Sequence, residues 1–195
     1  MATAKIGRPR CEKSREGIIT ATHDLLTEQG GAGLTIEAIA RRAEVGRPTI
    51  YRWWPTVADI VLEVVLLQAD KDIVVPSFES LQETLSQFLR QSTKAITNWS
   101  GVHLRFLMAH AQRDEEFRQR FRDNFVAKRR VVLRSIFQQA VERGQISSGS
   151  NLDMVVDIVF GAMWYRLLVG HAPMDECFAD ELTEVVIRLV QASPE

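Results

Sequence analysis

The sequence predicts an all-α fold of about nine helices: a three-helix head, then a longer helical body. Three observations carry this. Apolar residues recur at i, i+3, i+4 and i+7 in nearly every segment, the period of a helix with one buried face. No stretch alternates apolar and polar residues as a half-buried strand does. The interruptions fall at Gly, Pro and Ser, where helices end. With 195 residues, 46% of them hydrophobic, the chain can bury one large core or two small ones.

Residues 1–13, MATAKIGRPRCEK, read as a flexible basic arm. Ser14 can cap the first helix, whose stripe is Ile18, Ala21, Leu25 and Leu26, and Gly30-Gly31 ends it. Thr35 can cap the second, with Ile36, Ile39, Ala40 and Ala43 on its inner face. Glu44-Val45-Gly46 breaks the period, and Gly46 is expected to supply the backbone freedom of the bend. Arg47-Pro48 opens a third helix, where proline's missing N–H has no partner to lose. Ile50 and Trp54 point inward. Thr49, Arg52 and Trp53 share the opposite face, with Arg47 and Tyr51 at its edge.

That outer face is cationic, aromatic and hydroxyl-bearing, which suits phosphates and base edges. Two helices around a tight turn, the second dressed this way, describe a helix-turn-helix with a major-groove recognition helix. An ordinary helical hairpin is the bland alternative. Charge supports the DNA reading. Residues 1–54 hold nine Lys/Arg against six Asp/Glu, a net of +3, while the rest holds 15 against 19, a net of −4. In the arm, Gly7-Arg8-Pro9-Arg10 suits a minor-groove segment with Arg8 inserted, or else an unordered end adding diffuse phosphate attraction.

The run Leu34-Thr35-Ile36-x-x-Ile39-Ala40-x-x-Ala43-x-Val45, then Pro48-Thr49-Ile50-Tyr51-Arg52-x-Trp54-Pro55-Thr56, resembles the DNA-binding domain of the tetracycline-repressor (TetR) family of bacterial one-component regulators. The resemblance implies phosphate contacts at Thr35, Tyr51 and Thr56. It also implies that Arg47, Pro48, Thr49, Arg52 and Trp53 approach bases or backbone. Four positions depart from the pattern. Glu44 stands for a usual glycine, Gly46 for a frequent serine, Trp53 for a common His or Tyr, and Val57 for a lysine that often pairs with phosphate. The head is taken as residues 1–55 and the ligand-binding and dimerisation body as 56–195.

Thr56-x-x-Asp59 starts the next helix like a capping box, with Ile60, Val61, Val64, Val65 and Leu67 on its apolar side. By connectivity, signals between head and body should pass through it. Phe78–Trp99 follows after a break at 74–77, and Ser100-Gly101 is expected to interrupt before Val102–Gln112. Asp114–Arg143 is long, with Phe117, Phe121 and Phe125 stepping by four. Leu152–Val169 and Asp175–Gln191 close the chain.

Leu152–Val169 is apolar nearly all round, so it must be covered on several sides. The covering is either the chain's own core or a partner subunit. TetR-like proteins pair through their last two helices, so the resemblance implies a homodimer, with Val155, Val159, Met163, Leu182, Val186 and Leu189 as its interface. It further implies a small-molecule effector. His103, Phe106, Leu107 and His110 share one helix face and, with Trp99, Phe125, Phe160 and Trp164, allow an apolar pocket or plain core packing.

No phosphate-binding glycine loop, nucleophile elbow or zinc motif occurs, so no enzymatic activity, metal or cofactor is expected. Cys11 and Cys177 lie far apart, without metal-type spacing. There is no signal-peptide core. The most apolar run, Met154–Gly170, contains Asp157 and Arg166, so a cytoplasmic protein without a membrane partner is expected. Two functions follow: a dimeric repressor that binds a pseudo-palindromic operator in double-stranded DNA and is released by a small-molecule effector, or a helical ligand-binding scaffold whose hairpin no longer binds DNA.

Overall fold

The computed structural model describes residues 8–72, 77–147 and 149–191. Every regular element among them is helical. Ten α-helical segments follow in order: α1 Arg8–Gln29, α2 Ile36–Arg42, α3 Arg47–Tyr51, α4 Val57–Asp72, α5 Leu81–Ala95, α6 Gly101–Ala111, α7 Glu115–Phe121, α8 Ala127–Glu142, α9 Leu152–Val169 and α10 Glu176–Gln191. A 3-10 turn, Gly31–Gly33, precedes α2. π turns at Ile96–Ser100 and Arg122–Val126 fuse α5 to α6 and α7 to α8, which leaves eight continuous helical runs.

Two expectations about boundaries change. Ser100-Gly101 does not interrupt: the Gly101 N–H bonds to the Ile96 carbonyl, and the wider turn carries the helix through. The first helix starts at Arg8, so residues 8–13 of the expected arm are helical and Ser14 lies inside the helix rather than at its cap. Pro9 falls in the first turn, where its missing N–H costs nothing. Residues 1–7 and the side chains of Arg8 and Arg10 lie outside what is described.

The chain forms two compact units. The first takes residues up to 68 together with 102–118; the second takes 69–101 and the chain from 119 onward. In the first, α1 packs on α2 and α2 on α3. Ile18, Leu26, Ile39, Ile50, Ile60 and Val61 are fully buried there. α4 and α6 therefore belong with the head helices, beyond residue 55.

In the second unit α10 packs on α5 and α9, and α8 on α5 and α9. Phe88, Leu133, Phe137, Val156, Val159 and Val186 lie at its centre. Ser80 caps α5, accepting from the Glu83 N–H, and Asn151 caps α9, accepting from the Met154 N–H. Arg90 grips Asp180 with two 2.7 Å bonds, tying α5 to α10. That pairing holds the Asp180 carboxyl below its ordinary value, the hydrogen bond from Arg90 being the largest cause.

Candidate nucleic-acid interface

The turn between α2 and α3 is built from its hydrogen bonds. Thr35 caps α2, its hydroxyl accepting from the Ala38 N–H at 3.1 Å. At the other end the Val45 N–H reaches the Ala40 carbonyl at 3.0 Å and the Glu44 N–H reaches Arg41 at 3.3 Å. This pair of bonds is the Schellman closure, and it requires a left-handed residue between. That residue is Glu44, with φ 53°. Gly46, expected to carry the bend, has φ −77° and serves as N-cap of α3. The same left-handed position holds glycine at Gly144 and Gly170 after α8 and α9.

α3 presents what the sequence expected. Ile50 is fully buried and Trp54 nearly so, which anchors the helix by its inner side. Arg47, Pro48, Tyr51, Arg52 and Trp53 are exposed, and Thr49 is half-buried. Tyr51 and Trp53 keep 56% and 43% of their surface open. Two large rings are thus left in water beside two arginines. The Thr56 hydroxyl accepts the Asp59 N–H at 3.2 Å while the Asp59 carboxylate accepts the Thr56 backbone N–H at 3.1 Å, so the expected capping box of α4 is formed; the Thr56 hydroxyl also donates to that carboxylate at 2.7 Å.

The head's charges are partly spent internally. Arg42 holds Glu28 through two bonds, at 3.1 and 2.7 Å. Arg47 holds Glu37 at 2.8 Å, and Arg15 pairs with Glu63. The Glu28 carboxyl is held below its ordinary value chiefly by the Arg42 hydrogen bond. The Glu37 carboxyl is lowered first by a bond from its own backbone amide, then by Arg47. Among the described residues Lys13, Arg41 and Arg52 are exposed and pair with no carboxylate. These pairs were not legible in sequence, because each joins two different helices.

The residues expected around a ligand divide between the units. His103, Phe106, Leu107 and His110 lie in the first, packed with the head helices. His103 is fully buried and its Nε2 meets His23 Nδ1 of α1 at 3.1 Å, with the rings stacked 5.0 Å apart. Phe106 lies so close to the turn before α2 that a Cβ on Gly31 would come within 2.8 Å of its ring. Leu107 is buried, and His110 meets Phe117 edge-on at 4.9 Å. The helical period showed that these four share a face; it could not show what that face meets.

Trp99, Phe125, Phe160 and Trp164 lie in the second unit. Trp99 sits in the first π turn, Phe125 in the second, stacked on Phe121 at 5.5 Å with Arg129 above its ring at 5.7 Å. Trp99, Phe160 and Trp164 are each half-buried. A groove of about 390 Å³ runs along α5 past Gln82, Ser86, Arg90 and Gln91, and none of the expected ligand residues lines it.

Most of the residues expected at a subunit interface lie inside their own chain. Val155, Val159, Met163, Leu182 and Val186 are buried in the core of their own chain; of the six, only Leu189 is exposed. The apolar stripe left open carries Met154, Ile158, Tyr165 and Leu168 on α9, with Val185 and Leu189 on α10. A helix that is apolar all round gives no phase by which to tell its two sides, and α5 and α8 occupy the side that was chosen. Among the described residues no helix is long and apolar enough to cross a membrane, and no group of three or more His, Cys, Asp or Glu could hold a metal ion.

Comparison with known proteins bears on both parts of the chain. Residues 18–64 match the family described as bacterial regulatory proteins, tetR family, and residues 75–186 match the tetracyclin repressor-like C-terminal domain. The HTH-type transcriptional regulator YdeS of Bacillus subtilis is 27% identical over 190 residues, which cover 97% of this chain and 96% of that one. The crystal structure of the TetR family regulator SCO0332 superposes with a TM-score of 0.74 at 28% identity, over 94% of this chain and all of that one. FadR from Bacillus subtilis, solved in complex with stearoyl-CoA, shares the fold at a TM-score of 0.65 and 17% identity, over 92% and 99% of the two chains.

Proposed function

The chain belongs to the TetR family of transcriptional regulators, and from that premise we propose that it is a repressor that binds a pseudo-palindromic operator as a homodimer and leaves it when a small molecule binds. The observation that carries the DNA half is the outer face of α3. Tyr51 and Trp53 are held open to water beside Arg47 and Arg52, while Ile50 and Trp54 fix the helix from behind. Arg52, exposed and without a carboxylate partner among the described residues, is the cation best suited to a base edge or phosphate. Thr35, Thr49 and Thr56 are the hydroxyl-bearing residues assigned to the same contact set. Arg8 and Arg10, read from the sequence alone, would add phosphate attraction from the N-terminal side.

Dimerisation is supported by the open stripe on α9 and α10, which an isolated chain would leave in water. Two-fold pairing would set two recognition helices about one DNA turn, roughly 34 Å, apart. The effector half is supported by the half-buried aromatics Trp99, Phe160 and Trp164 of the second unit, together with Phe125. FadR, which shares this fold, was solved with a long acyl thioester. An apolar or amphipathic effector is the reading extended to this chain. Such a regulator works beside its DNA, in the bacterial cytoplasm.

The test is a fluorescence titration against the DNA flanking its own gene, at two salt concentrations and with non-specific competitor. Tight binding that survives competitor and weakens with salt is expected. Arg52→Ala should weaken it by about tenfold or more without lowering thermal stability. Binding that disappears under competitor, or an Arg52→Ala protein of unchanged affinity, would sink the reading in favour of a ligand-binding scaffold.

A further inference from the structure

α3 spans five residues, Arg47–Tyr51, too few to hold a helix by its own hydrogen bonds. Its carboxyl end must be held by other helices. Trp54, 3% exposed just beyond that end, buries an indole N–H that needs an acceptor. The acceptor is Glu63 of α4, whose Oε2 receives the Trp54 Nε1–H at 2.5 Å. The other oxygen of the same carboxylate pairs with Arg15 of α1. The Arg15 guanidinium in turn lies 5.9 Å from the centre of the Trp53 ring, and the two tryptophan rings are 6.3 Å apart. One carboxylate therefore joins α1, α4 and the end of α3.

We propose that Glu63 is a positioning residue for DNA recognition: it fixes the end of the recognition helix through Trp54 and withholds Arg15 from the phosphate backbone. The inference rests on the DNA-binding reading above. A guanidinium this close to an exposed recognition-helix ring is within reach of the same DNA. Bound to Glu63, it supports the shape of the reading surface instead of adding attraction that every sequence shares. Glu63 itself touches no DNA in this account; it acts through Trp54 and Arg15.

The experiment measures wild type, Glu63→Gln and Arg15→Gln against operator and competitor DNA over a salt series, with thermal melts of each. Specific wild-type binding establishes the premise; its failure would sink the regulator reading and this proposal with it, whereas specific wild-type binding with an unaltered Glu63→Gln would overturn this proposal alone. In Glu63→Gln the amide oxygen still accepts from Trp54, and Arg15 is released. Competitor affinity is expected to rise, the operator-to-competitor ratio to fall about tenfold, and the slope of log affinity against log salt to steepen by about 0.9, one more phosphate neutralised. Arg15→Gln is expected to lower the ratio without steepening the slope, since the cation is gone. A merely structural role would lower melting temperature and both affinities together, with ratio and slope unchanged. A Glu63→Gln protein with wild-type ratio and slope would overturn the proposal. Should that variant fail to fold, a wild-type ratio in Arg15→Gln, which breaks the same pair from α1, would overturn it equally.

Discussion

Glu44 occupies a backbone conformation that glycine holds after α8 and α9. A side chain there costs roughly 1–2 kcal/mol of strain, against the ~0.5–1 kcal/mol that glycine loses through its freer unfolded chain. Glu44→Gly should therefore raise stability by about 0.5–1 kcal/mol, a melting-temperature gain of about 2 °C for a chain this size, while Glu44→Ala should not. Differential scanning calorimetry decides it: a Glu44→Gly protein that melts no higher than Glu44→Ala would mean that the strain does not exceed glycine's entropic cost, and would overturn the prediction. The sequence made Glu44 visible as a departure from a family glycine, yet located the freedom two residues later. Adjacent turn residues all look permissive, and only the hydrogen bonds Val45 to Ala40 and Glu44 to Arg41 say which one must be left-handed. The Glu63–Arg15 pair was invisible for a related reason. Its members are far apart in the chain, and each looks like an ordinary solvated charge.

At the scale of elements, periodicity worked where a helix has one wet side. Ile36, Ile39 and Ala40 of α2, Ile60, Val61, Val64 and Val65 of α4 and the capping box at Thr56 are as expected, whereas Leu67, expected on the same side of α4, is 42% exposed. Periodicity failed on α9, whose apolar residues surround the axis. Packing by α5 and α8 leaves Met154, Ile158, Tyr165 and Leu168 outside, with Gly161 in the same stripe and nothing within 4 Å of where its Cβ would be. A partner helix can approach closely there. Ile158→Glu is accordingly expected to give a folded monomer by light scattering, with its helical circular dichroism kept. Val159→Glu, one residue on, should instead unfold the second unit, because it buries an unpaired charge in the core. A dimer that survives Ile158→Glu would place the contact elsewhere. The π turns escaped sequence reading altogether: a widened turn changes one hydrogen bond and leaves the apolar spacing on either side intact.

At the scale of the molecule, the sequence suggested a head that ends at residue 55 and a body that begins there. The compact unit containing the head instead reclaims 102–118 from the middle of the chain. No local signal announces this, since α6 looks like any amphipathic helix until His103 is found against His23 and Phe106 against Gly31. The His23–His103 clasp has a practical consequence for anyone exchanging parts between relatives. A hybrid made by a single splice near residue 68 would carry a foreign α6 opposite His23. Such a hybrid should melt lower than either parent and bind the donor's operator poorly. A three-crossover hybrid, in which 102–118 travels with the front of the chain, should recover both. Heredity by recombination faces the same constraint: a new DNA preference arrives intact only when two separate stretches of gene are inherited together.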